Sequence, residues 1–432
     1  MKKKIVILAY DFPPYLSIGA MRPYSWYKYL DKNEWEVTVV TRNWDSEIIN
    51  AIDYVKPSKN QKLAIDVTEE GTIYRLPFKP NLRDKIILKH GLDRFAIIRK
   101  LLTLFYNFGK HLSDRFDNTA NFYKETDKLF KENKFDLIIA SGEPFILFKY
   151  ANKLSRKHHT PWIADYRDGW TTNQEDKTLS FQEKVMLNFY KCKEASYLKN
   201  VKLITTASPS YKIKLSSIFP SKKIEVIFNG YFTKYQPKTN IKKHEVFTMA
   251  YVGTLYPHQQ LEMFLEGFSQ FIKENKLSSN DVQVLFYGMQ FYPEQIQRVK
   301  DFSLDLNQYF KFTERRSYKE LLLNLNESDL LLLLTKRNIN WLNAKIFDYI
   351  AANKRVFLVE NDKGILEQIL NEVGNSSYFC DTAIEVKDSL SDAYKEFQLN
   401  GYLKNTNSES NQYSREKQAE KLSTILIEEL KD

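Results

Sequence analysis

Cysteine is nearly absent: the 432 residues contain only Cys192 and Cys380. The two are far apart and show no metal-ligand spacing, so a reducing compartment is expected and a disulfide framework is not. The six histidines are scattered, which argues against a metal site. No stretch of about 18 apolar residues occurs, so no membrane span is expected. Residues 1–4 are basic, but the apolar run after them stops at Asp11, so no signal peptide is expected and a cytoplasmic location is. The first strand–helix–strand pattern lacks the glycine triplet of a dinucleotide fingerprint, so a classical NAD site is not expected. Nor is there an Asp-x-Asp pair of the kind that holds a metal-bound nucleotide.

The chain is too long for one ordinary core, so two domains are the default. An apolar content of 43% and a charged content of 27% describe a globular protein. Charge is unevenly spread. Residues 1–240 carry 41 Lys and Arg against 26 Asp and Glu, a net of +15, whereas residues 241–432 carry 23 against 28, a net of −5. That asymmetry suggests that the first half meets something anionic: nucleic acid, a membrane surface or a phosphorylated substrate.

Apolar runs such as Ile5-Val6-Ile7-Leu8, Leu137-Ile138-Ile139, Leu330-Leu331-Leu332-Leu333-Leu334 and Val356-Phe357-Leu358-Val359 read as parallel strands covered on both faces. They alternate with helical stretches, so the expected fold class is α/β, with two open sheets wrapped by helices. The polar, Lys-rich residues 232–244 suit a linker. The expected domains are residues 1–240 and 245–410, with the final helix, within residues 414–432, packing back on the fold. Between about residues 79 and 115, Phe95, Ile98, Leu101, Leu102, Phe105, Phe108 and Leu112 recur at helical spacing among Arg94, Arg99, Lys100, Lys110 and Arg115. Such a stretch either lies on an anionic membrane or packs its apolar stripe on the core, the commoner outcome.

Candidate site residues cluster at strand ends. Gly19 can let a backbone approach a phosphate, and Arg22 beside it can hold one. Asp165-Tyr166-Arg167-Asp168 ends a strand, where Asp165 and Asp168 flanking Arg167 suit a polyhydroxyl ligand or charge stabilisation; a structural Asp–Arg pair is the competing reading. Lys345 and Asp348, one helical turn apart near Asn343, fit a phosphate and a sugar hydroxyl, or else form a solvated surface pair.

The order of these pieces resembles the two-domain GT-B glycosyltransferases, and within them the family-4 group. The resemblance rests on Asp11-Phe12-Pro13-Pro14 with Gly19 and Arg22, on Asp165-Tyr166-Arg167-Asp168-Gly169-Trp170, on Ile227-Phe228-Asn229-Gly230-Tyr231, on Tyr251-Val252-Gly253-Thr254-Leu255-Tyr256 and on Lys345-Ile346-Phe347-Asp348-Tyr349-Ile350. It implies two Rossmann-like domains facing across a cleft, the second holding a nucleotide-sugar donor and the first a lipid-linked or saccharide acceptor. It implies retaining, metal-independent transfer with no cofactor, as in surface-polysaccharide synthesis. Gly19 would approach the donor diphosphate, Asp348 would grip the ribose, Lys345 would touch a phosphate, and Gly253, Thr254 and Tyr256 would face the donor. Asp165 or Asp168 would activate the acceptor hydroxyl, with Arg167 between them.

The pattern also departs from the family. Its paired glutamates would fall at Asn340 and Asp348, so one carboxylate is missing. The Arg and Lys usual after the Gly253 turn are replaced by Thr254, His258, Gln259 and Gln260. The diphosphate would then fall to Arg22, Lys336, Arg337 or Lys345, with the helix start near Asn343. A sugar-nucleotide 2-epimerase of the same fold and a non-catalytic binding protein are the alternatives. The basic first half, with its stretch at residues 79–115, fits an anionic membrane surface at the inner leaflet. No nucleic-acid module is recognisable, so nucleic acid is not expected as a partner.

Overall fold

The computed structural model describes residues 2–15, 17–45, 52–172, 180–236, 245–314, 318–337, 342–374, 376–405 and 410–431. The chain divides into two compact units, residues 1–229 with 418–432 and residues 230–417.

The first unit is built on eight strands: β1 (Lys3–Ala9), β2 (Trp35–Arg42), β3 (Ala64–Val67), β4 (Gly71–Leu76), β5 (Leu137–Gly142), β6 (Trp162–Tyr166), β7 (Leu203–Thr206) and β8 (Ile224–Val226). Their order in the sheet is β3-β4-β2-β1-β5-β6-β7-β8, and all pairings are parallel except that of the edge strand β3 with β4. Helices α1 (Ile18–Tyr29), α2 (Leu82–His90), α3 (Ala96–Leu112), α4 (Asn121–Glu132), α5 (Ile146–His158), α6 (Phe181–Leu198) and α7 (Pro209–Ile218) connect them. The central strands are apolar without alternation because both faces are covered. Val6 and Leu8 face a core that includes Phe148 and Leu154, while Ile5 and Ile7 face one that includes Trp26 and Trp35.

The second unit holds β9 (Phe247–Val252), β10 (Val282–Tyr287), β11 (Phe310–Thr313), β12 (Leu330–Leu334), β13 (Arg355–Val359) and β14 (Tyr378–Cys380). They run parallel in the order β11-β10-β9-β12-β13-β14. Helices α8 (Leu261–Asn275), α9 (Pro293–Phe302), α10 (Tyr318–Asn326), α11 (Lys345–Ala351), α12 (Ile365–Glu372) and α13 (Ala383–Asn400) surround them. All five leucines of β12 are fully buried, each stabilising the fold by roughly 1.5–3 kcal/mol relative to exposure. The last helix, α14 (Arg415–Glu429), returns the chain to the first unit at Gln418. There Ala419, Leu422 and Leu426 join the Trp26–Trp35 core, and Trp35 Nε1 donates to Ser423 Oγ at 2.7 Å.

The basic stretch differs from the single helix that its periodicity suggests. Gly91, at φ +79°, ends α2, and α3 follows. Gly91 provides the left-handed conformation at no steric cost. The commoner fate of an amphipathic stripe is not what happens. Ile97, Leu101 and Leu112 are 76%, 62% and 70% exposed, and Phe95, Ile98, Leu104 and Phe105 are exposed beside them. Only part of the helix is tied down, with Phe108 against Phe189 and Tyr190 of α6.

Candidate functional site

In an open α/β sheet, ligands sit beyond the carboxyl ends of the strands where the strand order reverses. In the second unit that point lies between β9 and β12. Past β9 the chain turns at Gly253, whose φ of +76° an L side chain rarely adopts. The Lys345 side chain lies across this glycine, its Cε 3.3 Å from where a Cβ would stand. Its ammonium donates to Tyr251 Oη at 2.6 Å and to the Thr254 carbonyl at 2.7 Å, and it stands 4.0 Å from the centre of the Tyr251 ring. No carboxylate lies within 4.0 Å of it among the described residues. Burial therefore pushes the Lys345 pKa well below the ordinary lysine value, with Asp348 opposing the shift. An ammonium has three donors, and two are spent on neutral oxygens.

Asp348, one turn along α11, does not pair with Lys345. It accepts from Tyr318 Oη at 3.0 Å. Burial raises its pKa from 3.8 to about 6, against the lowering effects of the Tyr318 hydroxyl, Arg415 and Lys345. Tyr318 in turn packs against Phe232 and Tyr235, and the Arg415 guanidinium covers Phe232 at 4.7 Å. A half-buried carboxylate between a phenol and a guanidinium can accept from a ligand hydroxyl once ionised. Neither Tyr318 nor Arg415 is announced by a motif. They lie 30 residues before and 67 after Asp348, and only folding brings them to it.

The loop after β9 is held by Gln259, buried at 1% exposure. Its amide donates to the Leu334 carbonyl, and its oxygen accepts from Tyr251 Oη at 3.2 Å and the Tyr256 amide at 2.8 Å. A neutral side chain that ties β9 to β12 thus stands where the resemblance expects a cation. Tyr256 packs between His258 and Tyr292, and Thr254 contributes its carbonyl to Lys345. Asn343 is buried, its Oδ1 accepting from the Lys345 amide at 3.2 Å while its Nδ2 has no partner among the described residues. The Thr335 hydroxyl, just past β12, is likewise buried without a partner among the described residues. Such unsatisfied polar groups are costly unless a ligand completes them. Lys336 is exposed. Arg337 is engaged elsewhere, 2.8 Å from Asp381 and 3.8 Å from Glu360, so these acids compete for the guanidinium offered to a diphosphate. Asn340 lies outside the described residues.

In the first unit the order reverses between β1 and β5. Here two sequence-based assignments need correction. Arg22 and Asp165 are 1% and 0% exposed and are bonded to each other, Arg22 Nε and Nη2 reaching Asp165 Oδ1 at 3.0 and 2.8 Å. Asp165 also accepts from Ser141 Oγ at 2.9 Å and Thr205 Oγ1 at 2.8 Å, and Arg22 Nη1 donates to the Ile227 carbonyl. With these groups buried and committed, Arg22 is not placed to grip a phosphate, nor Asp165 to act as a base. The pair joins α1 to β5, β6, β7 and the segment after β8, the structural alternative for an Asp–Arg motif.

Gly19 is not in a loop. Ser17 caps α1, accepting from the Ala20 amide at 3.0 Å, and Gly19 occupies the first turn. A Cβ there would lie 1.6 Å from Arg167 Nη1. The glycine therefore lets a guanidinium sit against the start of a 12-residue helix, a place that favours anions. Arg167 is fixed by Asp11 Oδ2 at 2.8 Å and the Glu143 carbonyl at 3.1 Å. Asp168 is exposed, with Oδ2 3.7 Å from Arg167 Nε. Glu143, which carries no motif signal, is the further carboxylate here. Burial raises its pKa, Arg167 lowers it, and Asp168 and Asp11 raise it further. The site as folded thus joins Gly19, Arg167 and Asp168 with Asp11 and Glu143, and leaves Arg22 and Asp165 beneath. A concavity of about 480 Å³ lies at the amino ends of β5 and β6, between residues 130–136 and 158–161, the opposite end of these strands from the Arg167 groups.

Among the described residues, no group of three or more His, Cys, Asp or Glu side chains is arranged to hold a metal ion, and no helix is long and apolar enough to cross a membrane. No family model and no curated protein matches the sequence. Solved structures match along the whole chain at low identity. Sucrose-phosphate synthase from Thermosynechococcus elongatus is 11% identical with a TM-score of 0.60, over 98% of this chain and 95% of that one. HepE from Anabaena, in complex with UDP and glucose, is 12% identical at 0.56 over 99% and 100%. A glycosyltransferase from Rickettsia africae is 15% identical at 0.59 over 100% and 99%. The chain therefore has the fold of the GT-B glycosyltransferases, two α/β units with mostly parallel sheets.

Proposed function

We propose that this protein is a glycosyltransferase that moves a sugar from a nucleotide-sugar donor to a saccharide or lipid-linked acceptor in surface-polysaccharide synthesis. The reading adds that transfer is retaining, needs no metal or cofactor, and follows the family-4 pattern. The observation that carries it is Lys345, a desolvated ammonium held over Gly253 by neutral oxygens, with a donor to spare at the strand-order reversal of the second unit. A diphosphate would supply its missing counter-charge, and Asp348 would accept from a ribose hydroxyl. The likeness to the UDP- and glucose-bound HepE structure supports a UDP-sugar donor. In the first unit, Arg167 and the start of α1 would meet anionic charge, and Asp168 or Glu143 would take the acceptor hydroxyl proton.

The test is calorimetric titration with UDP-, GDP-, dTDP- and CMP-sugars. Binding to one donor class is expected, weakening as pH falls through about 6 because protonated Asp348 loses its acceptor role. The Asp348→Asn variant should bind weakly at all pH values. The apo protein should respond in the opposite sense. A carboxyl raised from 3.8 to about 6 binds more protons when folded, so its contribution makes the fold more stable as pH falls through that window. A pH-independent affinity, or no binding to any donor, would sink the reading. An epimerase would instead consume the donor without an acceptor.

The exposed apolar face of α3, flanked by basic residues such as Lys85, Lys89, Arg94 and Lys100, supports peripheral binding to an anionic bilayer. In flotation assays the protein should rise with vesicles containing phosphatidylglycerol more than with neutral ones. Ile97→Asp with Leu101→Asp should leave it at the bottom of the gradient with circular dichroism unchanged. Equal flotation of wild type and variant would remove α3 from the membrane reading.

A further inference from the structure

The last turn of α3 leads to a second feature of the first unit. A cavity of about 250 Å³ is lined by Tyr10, Tyr54, Phe78, Asp84, Lys110 and Asp117, among others, and reaches Pro144, the residue after Glu143. It is smaller than the roughly 300–1,000 Å³ typical of pockets for drug-sized ligands, and suits one sugar ring or a small anion. Its wall continues into the Arg167 cluster, since Tyr54 Oη donates to Asp11 Oδ1 at 3.3 Å.

The carboxylates of this cavity are already committed. Asp84 Oδ1 accepts from Arg83 Nη1 at 3.0 Å, and its Oδ2 from the Asn81 amide at 3.3 Å. Asp117 Oδ1 accepts from the Thr119 amide and hydroxyl at 2.9 and 2.7 Å, and its Oδ2 from Tyr150. Lys110 is different. Its ammonium makes no hydrogen bond or ion pair with any described residue, while burial lowers its pKa against the opposing charges of Asp117 and Glu143. Behind the Tyr10–Tyr54–Phe78 wall lies Arg42, buried between Trp44 and Phe78 at 3.8 Å from each ring centre. Among the described residues its guanidinium bonds only Tyr10 Oη and the Tyr54 and Lys56 carbonyls. The cavity thus has an ammonium with unspent donors, a buried guanidinium behind its wall, and carboxylates whose oxygens are occupied.

We propose that this cavity binds a phosphate-bearing saccharide group, with the phosphate on Lys110 and the sugar body against the Tyr10–Tyr54–Phe78 wall. The inference deepens the transferase reading, on which it rests, by naming an acceptor chemistry. The same chemistry has two sources, a soluble sugar phosphate or the phosphate head of a lipid carrier, with the exposed face of α3 on the same helix suited to the second.

The full chain should be titrated with glucose 6-phosphate and with glucose, and floated on phosphatidylcholine vesicles with and without a polyprenyl phosphate. Vesicles matched in charge with phosphatidylglycerol serve as the control. A preference of tenfold or more for the phosphorylated partner is expected in one arm, identifying the source. Lys110→Met and Lys110→Gln should each erase it while leaving UDP titration unchanged. No preference in either arm, or a preference that survives both substitutions, overturns the proposal. Loss of UDP binding by the wild type would instead remove the transferase reading, a separately measured result.

Discussion

Replacing Lys345 with methionine is expected to weaken nucleotide-sugar binding by two to three orders of magnitude without destabilising the protein. The two halves of this expectation have different causes. A buried ammonium that meets a diphosphate makes a charge-assisted hydrogen bond, and removing one partner of such a pair costs about 2–5 kcal/mol. In the unliganded protein, the same ammonium is desolvated and held only by Tyr251 Oη, the Thr254 carbonyl and the Tyr251 ring. Methionine keeps much of the aliphatic bulk that lies over Gly253. The Tyr251 hydroxyl keeps the Thr254 carbonyl at 2.9 Å, so no buried group is orphaned. Calorimetry on both proteins, paired with thermal unfolding, separates the outcomes. Unfolding at or above the wild-type midpoint with binding lost identifies a residue kept for its ligand. A parallel fall in both would make Lys345 a structural strut, and affinity within threefold of wild type would move the donor site elsewhere.

Asp165→Ala should do the reverse, with a loss of about 3–5 kcal/mol in the stability of the first unit. The substitution leaves the Arg22 guanidinium buried at 1% exposure with no counter-charge, and takes an acceptor from the Ser141 and Thr205 hydroxyls. In urea, the transition of the first unit should shift to lower concentration while that of the second stays, so a single two-state fit should fail. Arg22→Met combined with Asp165→Leu should recover much of the loss, because removing both charges removes the desolvation cost with them. A stable, soluble Asp165→Ala protein with no turnover would restore Asp165 to the chemistry and refute the structural assignment.

The contrast between these residues shows where sequence reading succeeds. Arg22, Asp165, Lys345 and Asp348 all appear as charged residues at strand ends or helix starts, and the sequence treats them alike. Burial separates them. Arg22 and Asp165 are oriented inward and satisfy each other, whereas Lys345 is held by neutral oxygens and Asp348 by the Tyr318 hydroxyl near Arg415, not by one another. Motif spacing does not report which way a side chain leaves its strand.

By itself the sequence determined the α/β class, the parallel strands and the division into two sheets. These follow from short-range patterns: uninterrupted apolar runs such as Leu330–Leu334 need cover on both faces, and the helices between them supply it. It also marked Gly19, Gly253, Arg167, Lys345 and Asp348 as candidates at strand ends, turns and helix starts. Only the tertiary structure decided their surroundings. Tyr318 and Arg415 reach Asp348, Glu143 and Asp11 reach Arg167, Gln259 takes a place where a cation was expected, and Lys110 lines a cavity with Asp117 and Tyr10. Those contacts join residues far apart in the chain, and the electrostatics of each group depend on how much water folding removes from it. The exposed face of α3 belongs to the same class: its periodicity is written in the sequence, but whether that face meets the core or the solvent is decided by what else packs there.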